Sequence, residues 1–231
     1  MDKRNKIIVA LDFSSAHEAM TLVDQLMPGE CHLKVGNELF TRAGPIFVRN
    51  LVNRGYSVFL DLKFHDIPNT VSRAVCAAAE LGVWMTNVHA SGGVRMMKSA
   101  KQKLIEQGSD MLLIGVTVLT SMDSAEFAET GVSSELEHQV LQLARLAKES
   151  GLDGVVCSAK EARMLKTEMG RNFSLITPGI RLLGDNKDDQ RRVVDPRGAI
   201  KMGSDYLVIG RAITAATAPL EELRKINQSL K

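Results

Sequence analysis

Eight short apolar runs, most of them rich in β-branched residues, recur along the chain: Ile7 to Leu11, His32 to Val35, Ser57 to Leu60, Met85 to Val88, Leu112 to Leu119, Gly154 to Cys157, Ser174 to Thr177 and Tyr206 to Ile209. Most are nearly continuous in apolar character rather than alternating. Parallel strands covered on their outer face by helices read this way. The segments between them carry helical spacing. Val71, Val75 and Ala78 fall at i, i+4 and i+7, with Pro68 suited to a first turn and Gly82 to the stop. Leu136, Val140, Leu143 and Ala147 repeat the pattern. Ser134 with Glu137, and Ser158 with Glu161, have capping-box spacing, and Asp195-Pro196 is another helix start. Eight units in 231 residues give about 29 residues each, close to the ~30 of a strand-helix-strand step. The economical fold is α/β, a closed (β/α)8 TIM barrel. An open doubly wound sheet would carry a Gly-x-Gly-x-x-Gly turn after its first strand, whereas this strand ends Ala10-Leu11-Asp12-Phe13-Ser14. No linker or composition shift divides the chain, so residues 1–231 read as a single domain.

With 29 basic and 27 acidic residues, the net charge of +2 gives no general attraction to nucleic acid or to an anionic membrane. Any anion site must be local. Cys31, Cys76 and Cys157 are odd in number and lack paired metal-ligand spacing, which suits reduced thiols. The apolar run after the basic start Met1 to Lys6 ends at Asp12, too short for a signal-peptide core, and no stretch approaches the ~20 residues of a membrane span. A cytoplasmic location is expected.

The chemistry concentrates in Asp61-Leu62-Lys63-Phe64-His65-Asp66-Ile67. Strand alternation puts Asp61 and Lys63 on one face, with Leu62 and Phe64 on the other. Asp66 falls past the strand, where it can close on the same ammonium or reach a neighbouring chain. These seven residues fit an active site and a structural ion pair equally well. In a barrel, however, the C-terminal strand ends converge on one mouth, and here they supply Asp12, Lys34, Asp61, Lys63, His89, Thr120, Arg181 and Arg211. Opposite charges ~4 Å apart attract by about 4 kcal/mol at an effective dielectric near 20, so alternating signs would hold such an array together. Carboxylates beside Lys63 favour the ammonium form and proton donation over Schiff-base chemistry. His89 reads as a structural hydrogen-bonding residue. A divalent cation between Asp61 and Asp66 would compete with Lys63, so no metal is expected.

Two strand-to-helix loops are long, Ser121 to Ser133 and Gly179 to Val194. Both suit lids, with Gly131 and Gly184 as hinges and Arg181, Lys187, Gln190, Arg191 and Arg192 in the second. The last two strands end in Thr177-Pro178-Gly179-Ile180-Arg181 and Ile209-Gly210-Arg211, where barrels commonly bind phosphate. Gly210 admits an anion to the backbone, and Arg211 can fork onto two phosphate oxygens.

The stretch Asp61 to Thr70 resembles the signature of the orotidine 5'-phosphate decarboxylase family. Val9-Ala10-Leu11-Asp12, Leu33-Lys34-Val35-Gly36, Asn87-Val88-His89-Ala90, Val118-Leu119-Thr120-Ser121, Thr177 to Arg181 and Ile209-Gly210-Arg211 extend the likeness nearly end to end. Leu182 departs from the proline common in related sequences. The resemblance implies decarboxylation of orotidine 5'-phosphate to uridine 5'-phosphate, the last step of de novo pyrimidine nucleotide synthesis. It implies a homodimer with shared sites and no cofactor. By motif position, Lys63 would protonate C6 and Asp61 would lie against the departing carboxylate, while Asp66, Ile67 and Thr70 would reach the partner's site, completing the Lys34, Asp61, Lys63, Asp66 array. Asp12 and Lys34 would bind ribose, Thr120 would contact the nucleotide across the dimer, and Ser121 would face the pyrimidine. Pro178 would line the substrate site. Gln190, Gly210 and Arg211 would hold phosphate, with Arg181 at the base of the closing loop. Two alternatives stand beside this: a magnesium-dependent sugar-phosphate enzyme of the same barrel superfamily, which uses a similar Asp-x-Lys-x-x-Asp motif, and a non-catalytic nucleotide-binding barrel.

Overall fold

The computed structural model describes residues 5–180 and 194–230. Eight parallel strands close into a barrel in chain order: β1 (Ile7–Ala10), β2 (His32–Gly36), β3 (Val58–Phe64), β4 (Met85–His89), β5 (Leu112–Val116), β6 (Gly154–Val156), β7 (Ser174–Thr177) and β8 (Tyr206–Ile209). β1 closes the ring on β8, pairing Ile8 with Val208. Around it lie α1 (Ala16–Val23), α2 (Asn37–Asn53), α3 (Pro68–Glu80), α4 (Gly93–Glu106), α5 (Ser124–Ala128), α6 (Leu136–Glu149), α7 (Ala159–Met169), α8 (Pro196–Met202), α9 (Arg211–Thr214) and α10 (Pro219–Ser229). The (β/α)8 expectation holds.

The period of two divides each strand between two cores. On β1, Ile7 and Val9 face the helices, while Ile8 and Ala10 join Phe59, Met85, Leu112, Ile114, Ile176, Tyr206 and Val208 inside the ring. Below them His32 stacks on Trp84 with ring centroids 4.1 Å apart, and Tyr206 meets both edge-on. The interior is therefore filled by layers of side chains. Gly154 is required by a close approach, since a Cβ there would stand 2.1 Å from the Ser174 carbonyl oxygen.

Three local expectations need correction. β5 stops at Val116 instead of Leu119, because its neighbour β6 ends at Val156 and the ladder ends with it. Thr117 continues only through its hydroxyl, which donates to the Val156 carbonyl. Ser134 and Glu137 do not form a capping box, since α6 begins at Leu136 and the Ser134 hydroxyl donates to the side chain of Gln139. The long loop after β5 instead contains α5, whose start is a capping box of Asp123 and Glu126. The Ser158–Glu161 box and the Asp195 cap are present as expected.

The three cysteines are unpaired. Burial, helped by the neighbouring Glu30 charge, pushes the Cys31 thiol up to about 12, and burial also raises Cys157, which is fully enclosed. Cys76 is only partly buried, and although burial raises its thiol as well, with Lys103 opposing, it alone of the three is open to a reagent. Since the thiolate is the reactive species, a disulfide reagent at pH 8 is expected to modify one thiol per native chain, at Cys76. Intact-mass analysis with peptide mapping checks this, and rapid labelling of Cys157 would contradict it.

Candidate active site

The inward positions of the strands set the site. Two residues beyond the inward Ala10 comes Asp12, beyond His32 comes Lys34, beyond Phe59 comes Asp61, and beyond Met85 comes Asn87. The apolar layers thus give way, one step higher, to a polar layer at the C-terminal mouth. The resulting cavity of about 540 Å³ is lined by Asp12, Lys34, Asp61, Lys63, Thr120, Ser121, Pro178, Gly210 and Arg211. All nine were expected at the site from the sequence. Phe59, Val156, Ile176 and Val208 form its apolar floor. A Cβ at Gly210 would make only ordinary contacts, 3.8 Å from Ala10 and 3.9 Å from an Asp12 oxygen, so its value is the bare backbone it offers the cavity.

Asp61 is the hub. Lys63 Nζ donates to its Oδ1 at 2.7 Å, Asn87 Nδ2 donates to the same oxygen at 2.7 Å, and Lys34 Nζ lies 3.6 Å from Oδ2. Lys34 also donates to Asp12 Oδ1 at 2.9 Å. Burial pushes the Asp61 carboxyl upward. The Lys34 and Lys63 charges, with the hydrogen bonds from Lys63 and Asn87, outweigh it and leave Asp61 below the usual carboxylate range. The group is therefore a buried anion beside two ammonium ions. A carboxylate so fully engaged has little capacity left for a metal ion, and among the described residues no three His, Cys, Asp or Glu side chains converge as a cage.

Lys63 does not sit on a regular strand. The β3–β4 register runs from Leu60↔Thr86 to Phe64↔Val88, so four steps on β3 face two on β4. Within this bulge Lys63 adopts φ 51, the one positive value outside glycine among the described residues. A side chain in the left-handed region costs about 1–3 kcal/mol, and such strain persists where its surroundings impose it. Here the Lys63 amide donates to Asn87 Oδ1 at 2.7 Å.

Other expected residues lie elsewhere. Asp66, Ile67 and Thr70 are exposed, outside the cavity. Asp66 Oδ1 accepts from the Ile67 amide at 2.6 Å, and Ile67 is 66% exposed. Arg181 and Gln190 fall outside the described residues, as do Leu182, Gly184, Lys187, Arg191 and Arg192. His89 stands at the rim beside His65, with ring centroids 5.5 Å apart. Burial, then His65 and Lys63, lower its pKa, with Asp61 opposing. Asn87 is the residue that sequence reasoning missed, although an amide at an inward position of a buried strand was a usable signal.

The family model described as Orotidine 5'-phosphate decarboxylase / HUMPS family matches residues 5–226. The orotidine 5'-phosphate decarboxylase of Vibrio parahaemolyticus is 60% identical over 226 residues, covering 97% of each chain. That of Pseudoalteromonas translucida is 56% identical over 231 residues, covering 100% of this chain and 99% of its own. Among solved structures, the orotidine 5'-phosphate decarboxylase from Lactobacillus acidophilus superposes with a TM-score of 0.88 at 38% identity, covering 98% of this chain and 99% of that one. An uncharacterized conserved protein from Geobacillus kaustophilus gives 0.84 at 40% identity, covering 97% of this chain and 100% of that one. With a match that spans nearly all of its length, this chain belongs to the orotidine 5'-phosphate decarboxylase / HUMPS family.

Proposed function

We propose that this chain, as one catalytic domain, converts orotidine 5'-phosphate to uridine 5'-phosphate and carbon dioxide, with Lys63 delivering the proton to C6. The observation that carries the reading is the Lys34–Asp61–Lys63 array at the mouth of a nucleotide-sized cavity. As the C6–carboxylate bond breaks, its electron pair stays on C6. No cofactor is invoked to spread that charge, so a preorganised cation must meet it. Lys63 Nζ supplies both the charge and the proton, and solvent reprotonates the amine. Asp61 lies against the departing carboxylate, and its grip on Lys63 holds the ammonium in place.

The remaining roles follow the cavity. Asp12 and Lys34, already paired at 2.9 Å, take ribose hydroxyls. Ser121 faces the pyrimidine, and Thr120 and Pro178 complete the wall. Gly210 and Arg211 bind phosphate together with Gln190, while Arg181 anchors the closing loop. Phosphate binding far from C6 can drive loop closure, so that remote binding energy supports the chemical step. Asp66, Ile67 and Thr70 serve a neighbouring copy in a homodimer. Their exposure beyond the rim and the apolar Ile67 surface fit that placement. A cytoplasmic location suits the role, and among the described residues no helix is long and apolar enough to cross a membrane.

An ultraviolet assay of purified protein with orotidine 5'-phosphate, with and without a chelator, tests the reading. Loss of the orotate absorbance at equal rates in both arms is the expected result. A silent wild-type protein sinks the proposal, and activity abolished by chelator would favour the magnesium-dependent alternative.

A further inference from the structure

We infer that Asn87 is a positioning residue that sets Lys63 and Asp61 for catalysis, an inference that rests on the decarboxylase reading above. Asn87 is fully buried at an inward position of β4, and among the described residues its side chain makes two hydrogen bonds, both to the catalytic stretch. Its Oδ1 accepts the Lys63 backbone N–H and its Nδ2 donates to Asp61 Oδ1, each at 2.7 Å. The partners fix which way the amide points, since an N–H requires an acceptor and a carboxylate requires a donor.

This amide replaces something the sheet lacks. Between Leu60 and Phe64 the β3–β4 ladder has no register partners, and Lys63 is held there in the left-handed region. The backbone pairing that would ordinarily fix a strand residue is missing at the lysine itself, and the Asn87 side chain supplies it. The same side chain holds the Asp61 oxygen that accepts from Lys63 Nζ. One buried group therefore fixes the root of the proton donor and the carboxylate that aims its tip. Asn87 does not line the cavity, so its effect passes through the two residues it holds.

The variants Asn87→Ala and Asn87→Asp separate positioning from mere structural support. In Asn87→Ala, kcat is expected to fall about a hundredfold, the scale of a small misplacement of reacting groups. KM should stay within about threefold, because the ribose and phosphate contacts lie on other strands. In Asn87→Asp the new carboxyl meets Asp61, and the two can keep their contact only by sharing a proton. The protonated acid reproduces the amide, with one oxygen accepting from the Lys63 N–H and the hydroxyl donating to Asp61. The titratable groups around it are Asp61 and Lys63 on β3, Lys34 on β2 across Asp61, and His89 with His65 at the rim, while β5 presents the apolar Ile114. All of these are present in the wild type, so the ratio of variant to wild-type kcat isolates the new group. That ratio is expected to rise about tenfold or more as pH falls from about 9 to about 6. A flat ratio overturns the inference, as does a folded Asn87→Ala protein with kcat within about threefold of wild type. Thermal melts accompany each variant, and if Asn87→Ala does not fold, the Asn87→Asp profile decides. Wild-type activity is measured first, and its absence would overturn the decarboxylase reading itself.

Discussion

Lys63→Ala is expected to lower kcat/KM for orotidine 5'-phosphate by about four orders of magnitude, because one substitution removes both the proton donor and the cation facing the developing charge. The fold should survive, since the Lys63 side chain is 30% exposed and the core layers beneath it are untouched. Asp61 provides an internal check. Its pKa is depressed in the folded protein, so it contributes stability above its unfolded value of 3.8 and loses that contribution as pH falls through the folded value. Lys63 is part of the cause, through its charge and its hydrogen bond. The stability difference between wild type and Lys63→Ala should therefore be present near neutrality and shrink in acid. Steady-state kinetics with thermal melts at several pH values measure both effects. A folded Lys63→Ala protein with kcat within about tenfold of wild type would remove Lys63 as the proton donor.

Mixing two inactive proteins is expected to restore activity. If Asp66 completes the partner's site, Lys63→Ala and Asp66→Asn homodimers each carry two defective sites. Random exchange makes half of the dimers mixed, and each mixed dimer has one site with both native residues, so recovery should approach about a quarter of the wild-type activity. The structure motivates the experiment: among the described residues the Asp66 carboxylate is occupied only with the adjacent Ile67 amide, it makes no ion pair with Lys63, and it lies outside the cavity. Native mass spectrometry would establish that exchange has occurred. Activity no greater than the summed residual rates after full exchange would place Asp66 in its own chain's site or in none.

Strand alternation predicted the side-by-side placement of Asp61 and Lys63, and they are 2.7 Å apart, yet the route to that contact is irregular. The prediction survives because the bulge adds two residues, an even number. Leu60, Leu62 and Phe64 all still pack outward against the helices while Asp61 and Lys63 line the mouth. A single added residue would have turned Phe64 inward and defeated the reading. Gly154, by contrast, sits in a strand whose apolar character was clear without any hint of the close backbone approach that requires it. The bulge itself left no local mark, and the side chain that holds it, through a hydrogen bond to the Lys63 amide, is that of Asn87, 24 residues further along the chain. A contact of that kind belongs to the pairing of two strands, and single-strand periodicity does not encode it. β5 was overextended for a related reason: its apolar run reaches Leu119, but the ladder ends where the short β6 ends. The Ser134 box failed because capping depends on the true first residue of α6, which is the least certain part of any spacing argument.

The doublet inserted in β3 also bears on how such a barrel can change over evolutionary time. An even insertion in one stave adds reach at the mouth while leaving every outward side chain on its own side, so α2 and α3 keep the surface they pack against. Reactive groups can then be lengthened, shortened or exchanged at the rim without renegotiating the fit between ring and helices. Chemistry and scaffold are thus separable by parity within a single strand.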